Sequence, residues 1–287
     1  TLAHYRGALA LYSRPQDPFE LFLDPTMMYS CAYYPDNETT LDQAAVAKLE
    51  RICDKLQLSE SDHVSEIGAG WGGFAIYAAP HYGCKVTTTT ISRQQFEVAQ
   101  QRVIAAGLED KVTLLMEDYR DLQGSYDKLV SIEMIEAVGH QYLDTYFAKC
   151  SSLLKSDGIM LIQAITIQDQ FYDQAIKSVD FIQRYIFPGG FIPSVTAISN
   201  AVKKSTDVRL FQMEDIGPHY ATTLRDWRKS FFDNLEQVKA LGYSDQFIAM
   251  WEFYLCYCEG GFLERTLGTS HLVFTKPRNS IDWRGSI

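Results

Sequence analysis

The segment His63-Val-Ser-Glu-Ile-Gly-Ala-Gly-Trp-Gly-Gly-Phe74 constrains this chain most, because it reads as a buried strand that runs into a glycine-rich turn and opens a helix. Such a turn wraps a nucleotide-like ligand. Gly68, Gly70 and Gly72 allow tight or left-handed backbone and clear side chains from a close ligand approach. A dinucleotide-binding turn would read G-x-G-x-x-G with a pyrophosphate on the helix N-terminus. Here the spacing is E-x-G-x-G-x-G-G, which puts Glu66 inside the turn. The acid disfavours an anionic phosphate and tolerates a ligand that carries an ammonium and a sulfonium, namely S-adenosylmethionine (SAM). An ordinary glycine-rich βα turn is the competing reading.

The next units extend the case. Gly83-Cys-Lys-Val-Thr-Thr-Thr-Thr-Ile91 is a β-branched strand followed by Ser92 as N-cap, with Gln95 at the capping-box position. Folds of this kind commonly end their second strand on an acid that holds the ribose hydroxyls. This chain offers Thr89, Thr90 and Gln95 instead. The third strand, Lys111-Val-Thr-Leu-Leu-Met116, is followed by Asp118, a candidate acceptor for an adenine amino group, and Tyr119, a candidate for stacking on the ring.

Several motifs in order then resemble the cyclopropane fatty acid synthase family. They are Tyr29-Ser-Cys-Ala-Tyr33, the Glu66 turn, Thr90-Ile-Ser-Arg-Gln-Gln95, Glu117-Asp-Tyr-Arg-Asp121, Ser131-Ile-Glu-Met-Ile-Glu-Ala-Val-Gly139, Phe187-Pro-Gly-Gly190 and Ile216-Gly-Pro-His-Tyr-Ala-Thr-Thr-Leu-Arg-Asp-Trp227. The resemblance covers roughly residues 20 to 276. The wider family includes mycolic acid methyltransferases and plant alkaloid N-methyltransferases. It implies an α/β fold, the class I SAM-dependent methyltransferase (Rossmann-like) type, with a seven-stranded, mostly parallel sheet and helical cap insertions.

The pattern along the chain agrees with that expectation. Strands are predicted at about 63–67, 85–90, 111–116, 127–132, 159–166, 208–214 and 270–275, with helices at about 41–56, 72–80, 92–106 and 141–154. Alternation of this kind builds a parallel sheet with helices on both faces. The 287 residues suit one methyltransferase domain over 1–287, with an N-terminal helical cap segment at 1–56 and substrate-covering helical insertions at 168–205 and 218–268. The second insertion is rich in aromatics, among them Trp227, Phe231, Trp251, Tyr254 and Tyr257, which suit either an apolar tunnel for a long chain or packing between helices. Tyr5, Leu9, Leu11, Tyr12, Phe19, Leu21 and Phe22 suit either a membrane contact or docking on the core.

A net charge of −10 and a pI of about 5.1 argue against nucleic acid as substrate and make an anionic bilayer an awkward surface. No apolar run is long enough to span a membrane and no signal-like pattern opens the sequence, so a cytoplasmic location, with room for peripheral membrane contact, is expected. The six cysteines at 31, 53, 84, 150, 256 and 258 show no paired spacing and are expected to be thiols. No metal is expected. The expected partner is an unsaturated acyl lipid, phospholipid or carrier-bound, with a homodimer among the options.

An isolated alkene is a poor nucleophile, so methylating it from a sulfonium leaves a carbocation that must be stabilised and then deprotonated. The resemblance implies SAM binding by Tyr29, Ser30, Glu66, Gly68, Ala69, Gly70, Gly72, Thr90, Ile91, Gln95, Asp118, Tyr119 and Ile132. It also implies a bicarbonate base held by the Cys31 and Ile165 backbones, the Glu136 carboxylate and the Tyr220 hydroxyl. Two departures stand out. Glu136-Ala-Val-Gly139 replaces Glu-His-Val-Gly, and Gln163-Ala-Ile165 replaces His-Thr-Ile, so both imidazoles are missing. Gln163 donates a hydrogen bond but carries no charge or proton, which leaves a ring and a methyl-branched product both open. The leading expectation is a SAM-dependent C-methyltransferase acting on acyl double bonds. A small-molecule N-methyltransferase and a SAM-binding protein without activity are the alternatives.

Overall fold

The computed structural model describes residues 18–280. A seven-stranded sheet forms the centre, in the order β3-β2-β1-β4-β5-β7-β6. Its strands are β1 (His63–Ile67), β2 (Lys85–Thr89), β3 (Val112–Leu115), β4 (Tyr126–Ile132), β5 (Leu154–Ile167), β6 (Arg209–Asp215) and β7 (Leu267–Thr275). Pairing is parallel from β3 through β5, and β7 inserts antiparallel between β5 and β6. The helices that matter for the site are α1 (Leu41–Leu56), α2 (Gly73–Tyr82), α3 (Arg93–Ala105), α4 (Leu143–Leu153), α5 (Asp169–Ala175), α6 (Val195–Ser205), α7 (Gly217–Asp233), α8 (Leu235–Ala240) and α9 (Asp245–Leu263).

Sequence and structure agree on every strand, and the one large difference is β5. It begins at Leu154 rather than near 159, because Leu154 pairs with Tyr126 across a register irregularity before the regular ladder resumes at Ile159. The polar Lys155-Ser-Asp-Gly158 run reads as a loop yet lies in the strand. Thr40 caps α1 through a complete capping box with Gln43, as its spacing requires. Ser92 caps α3, whereas the Gln95 side chain turns away from the cap and pairs with Thr90 Oγ1 at 3.0 Å.

One face of the sheet is covered by α1 and α2 through Leu49, Ile52, Leu56, Phe74 and Ala78. The other is covered by α4 and α6 through Tyr146, Phe147, Ile198 and Val202. A third apolar cluster lies over the carboxyl ends of the strands, where α7 and α9 pack against Phe19, Phe22 and Trp71. Phe19 and Phe22 are buried among Tyr29, Trp227 and Trp251, so this part of the N-terminal segment docks on the core. Tyr5, Leu9, Leu11 and Tyr12 lie outside the described residues. All six cysteines are unpaired thiols, and Cys53, Cys84 and Cys150 are core packing.

Phe147 tests the packing far from the turn. Its ring is fully buried between Tyr146 and Phe274, at centroid distances of 5.2 and 5.9 Å. Phe147→Ala is expected to lower unfolding free energy by about 3–5 kcal/mol in denaturant titration. A loss under about 1 kcal/mol would contradict this close packing.

Candidate active site

The carboxyl ends of β1, β2 and β4 open into a cavity of about 970 Å³, roofed by the 3₁₀ turn Ile135–Ala137, the segment 171–192, α7 and α9. Its first region is the glycine turn. Gly68 and Gly70 both have positive φ, +99° and +50°. A Cβ on Gly68 would lie 3.0 Å from the Met134 side chain, whereas one on Gly70 would meet nothing within 4 Å. Gly68 therefore serves packing and Gly70 leaves open space for a ligand. Glu66 is the penultimate residue of β1, beneath the turn, and burial pushes its pKa up to about 8. Its Oε2 has no protein partner among the described residues, and a cationic ligand bound beside it would favour its ionised, accepting form.

Tyr29, Ser30, Glu66, Gly68, Ala69, Gly70, Thr90, Ile91, Gln95, Tyr119 and Ile132 all line this cavity. Two sequence-derived candidates do not. Gly72 is the N-cap of α2, and a Cβ there would meet Ala99 and Ile76 at 3.2 Å each, so it lets α2 and α3 approach. Asp118 is held by Arg120, whose backbone N–H and Nε each donate to Oδ1 at 2.9 Å. That pairing keeps its carboxyl below the usual range, and its neighbour Glu117 lines the cavity instead.

The second region holds two carboxylates, Glu133 and Glu136, and the five candidate catalytic residues gather about them. Glu136 Oε1 accepts from the Ile165 N–H at 2.6 Å, and its Oε2 has no protein partner among the described residues. Withdrawal from water, reinforced by the charge of Glu133, lifts the Glu136 pKa to about 8. The remaining donors converge elsewhere. The Cys31 N–H and the Gln163 amide donate to Glu133 Oε1 at 2.9 and 2.8 Å, and the Tyr220 hydroxyl donates to Glu133 Oε2 at 2.7 Å. The Cys31 thiol points away, toward the Ala32 and Ile216 carbonyls. Neither Cys31 nor Gln163 lines the cavity; both stand behind Glu133, which does.

Sequence reasoning missed Glu133. It follows β4 directly with φ +48°, a left-handed backbone unusual for a side chain of this size. Strain at a strand end that faces a cavity is a mark of function, and the two acids of Ser131-Ile-Glu-Met-Ile-Glu136 were the visible signal. Burial raises the Glu133 pKa, while the bonds from Tyr220, Cys31 and Gln163 and the charge of Lys48 favour its ionised form. Lys48 is itself fully buried and donates to Ser30 Oγ at 2.7 Å.

A site for a cationic ligand beside a two-carboxylate pocket agrees with the matches to known proteins, which cover residues 3–272 with the mycolic acid cyclopropane synthetase family. The chain belongs to that family. It is 40% identical to the tuberculostearic acid methyltransferase of Mycobacterium tuberculosis over 264 residues, 90% of this chain and 62% of that protein. It is 40% identical to the cyclopropane-fatty-acyl-phospholipid synthase of Escherichia coli K12 over 268 residues, 92% of this chain and 66% of that protein. The chain thus spans a little under two thirds of the length of these relatives. The solved mycolic acid cyclopropane synthase complexed with SAH and CTAB superposes with a TM-score of 0.88 at 29% identity, covering 95% of this chain and 98% of that one. The fold is the class I SAM-dependent methyltransferase fold.

Proposed function

We infer that this chain transfers a methyl group from SAM to the double bond of an unsaturated fatty acyl chain, and that Glu133 removes the proton that follows. The observation that carries this reading is the convergence of the Cys31 N–H, the Tyr220 hydroxyl and the Gln163 amide on one protein carboxylate in the cavity wall. SAM fits the first region: Gly70 leaves room, the Glu66 carboxyl has an unpartnered oxygen that ionises beside a cation, and Tyr29, Ser30, Thr90, Gln95 and Tyr119 surround the space. When bound it supplies an electrophilic methyl. Bicarbonate does not fit in the same way. Of the four groups expected to hold it, Cys31 and Tyr220 are engaged by Glu133, and the Ile165 N–H is engaged by Glu136 itself. In this reading the Glu133 carboxylate takes the part of the bound anion.

The division of labour follows from the two acids. Burial raises both acids, but Glu133 alone has three donors and nearby Lys48 to favour its carboxylate form, whereas Glu136, with its pKa at about 8, keeps a proton near neutral pH. A developing cation beside them is stabilised by the Glu133 charge and by the surrounding aromatic faces, among them Tyr220, Phe187 and Tyr254. The glutamate then serves as the base. The far wall suits an acyl chain, being formed by Phe171, Ile176, Ile182, Phe191, Ile192 and Leu267.

No helix among the described residues is long and apolar enough to cross a membrane. Contact with a bilayer is nonetheless supported at the cavity rim. Tyr185, Phe253 and Tyr257 are exposed there and pack around Phe181, and Tyr257 also lines the cavity.

The deciding assay incubates the protein with SAM and unsaturated phospholipids, or with carrier-bound acyl chains, and analyses the fatty acids by mass spectrometry. A gain of one CH2 unit is expected, and the fragmentation pattern separates a ring from a branch. Methylation of amines with no gain in any acyl pool would establish the N-methyltransferase alternative. SAM binding with no turnover on any of them would make the chain a binding protein.

A further inference from the structure

A buried row of side chains leads away from Glu133 on the side opposite the cavity. The Gln163 amide nitrogen donates to Glu133 Oε1 at 2.8 Å and to the Cys31 carbonyl at 3.3 Å. Its carbonyl oxygen lies 3.0 Å from His271 Nε2, and His271 Nδ1 lies 3.1 Å from Lys55 Nζ. Lys55 and Arg51 both pair with Glu214. Gln163 and His271 are fully buried, and the row draws on β5, β7, α1 and β6.

An amide can be turned end for end in nearly the same volume, and a neutral imidazole has two tautomers. Here one assignment satisfies every member. An ammonium can only donate, so Nδ1 of His271 accepts from Lys55. The ring's single proton is then on Nε2 and is given to the Gln163 oxygen. Gln163 must therefore turn its NH2 toward Glu133. We propose that Lys55 and His271 are positioning residues for the base, fixing the direction of a hydrogen-bond chain that keeps the Gln163 amide donating to Glu133.

The proposal rests on the reading of Glu133 as base. A specific competitor gives it content: Glu214 Oε2 lies 4.0 Å from His271 Nδ1. With the Lys55 ammonium gone, the ring is better served by carrying its proton on Nδ1, facing Glu214. Its Nε2 then becomes an acceptor, Gln163 flips to donate to it, and the amide oxygen is turned onto the Glu133 carboxylate. The charged and titratable groups around Glu133 are Lys48 from α1, Tyr220 from α7, Glu136 from the 3₁₀ turn and Cys31. Those around His271 are Lys55, Arg51 and Lys48 from α1 and Glu214 from β6. Burial, followed by the Lys55 charge, holds the imidazole well below its usual pKa, so the chain keeps its direction across the neutral range.

The test uses the full chain labelled with ¹⁵N-histidine, as wild type, Lys55→Met and Lys55→Arg, followed by two-bond ¹⁵N–¹H correlation spectra and by the pH profile of kcat/KM. Wild type should show His271 protonated on Nε2, and Lys55→Arg should preserve that. Lys55→Met, which keeps the aliphatic stem, should show the proton on Nδ1 and an acid limb moved up by about one to two pH units, because the carboxylate loses a donor and meets a carbonyl dipole. An Nδ1–H tautomer in wild type overturns the proposal even if Lys55→Met fails to fold. So does an unchanged tautomer in Lys55→Met, or a switched tautomer with an unmoved limb. Failure of the Glu133 reading is seen separately, as retained turnover in Glu133→Gln, and leaves the tautomer measurement untouched.

Discussion

Glu133→Gln is expected to lower turnover by about 10²–10⁴ while SAM affinity, measured by calorimetry, stays close to wild type. The amide keeps the volume but loses the charge and the basicity, and its NH2 faces donors that need an acceptor. The substitution leaves the residues around the proposed cofactor space, from Glu66 to Gly70 and at Thr90, Gln95 and Tyr119, as they are. Glu133→Gly is the informative companion. It relieves the left-handed backbone at φ +48° and leaves the Cys31 N–H, the Tyr220 hydroxyl and the Gln163 amide facing a space the size of a small anion. Added formate or bicarbonate should restore activity to this variant in a saturable way and leave wild type unaffected. Full activity in Glu133→Gln would remove Glu133 from the reaction. Collapse of wild-type turnover in bicarbonate-free buffer would return the role of base to an external anion.

The sheet was legible in the sequence because its central strands are buried on both faces and carry unbroken apolar or β-branched runs, as in Val86-Thr-Thr-Thr-Thr90 and Met160-Leu-Ile162. The start of β5 was not, because Ser156-Asp-Gly158 carries turn residues while its backbone pairs across a bulge. The glycine turn was legible for a different reason: a close backbone approach leaves its mark as residue type at fixed spacing. Glu133 left only its place three residues before Glu136. Its role is set by the left-handed residue that ends β4 and by donors from the 29–33 loop, β5 and α7. His271 was further still from view, since it meets Gln163 across a sequence separation of 108 residues and only because β7 inserts antiparallel beside β5. The absence of a histidine at 163 and at 137 suggested a weakened base; in the structure the Cys31 N–H, the Tyr220 hydroxyl and the Gln163 amide turn onto Glu133, and an imidazole lies one step behind Gln163.

Gly70→Val should abolish detectable SAM binding, a loss of at least about a hundredfold in affinity, equivalent to about 2.8 kcal/mol. Gly70 has φ +50°, and a Cβ built there meets no protein atom within 4 Å, so every added carbon enters the cavity the cofactor is proposed to fill. A β-branched residue in the left-handed region also costs about 1–3 kcal/mol of stability, which by itself would confuse the result. Gly107 supplies the control. It is exposed, has φ +64°, and likewise has nothing within 4 Å of an added Cβ, but it lies outside the cavity. Gly107→Val should therefore lose a similar amount of stability in denaturant titration and keep its SAM affinity. Gly70→Ala should fall between wild type and the valine variant, because one methyl intrudes less than three carbons. Equal affinity in Gly70→Val and Gly107→Val would show that the turn at 68–72 is not where SAM binds.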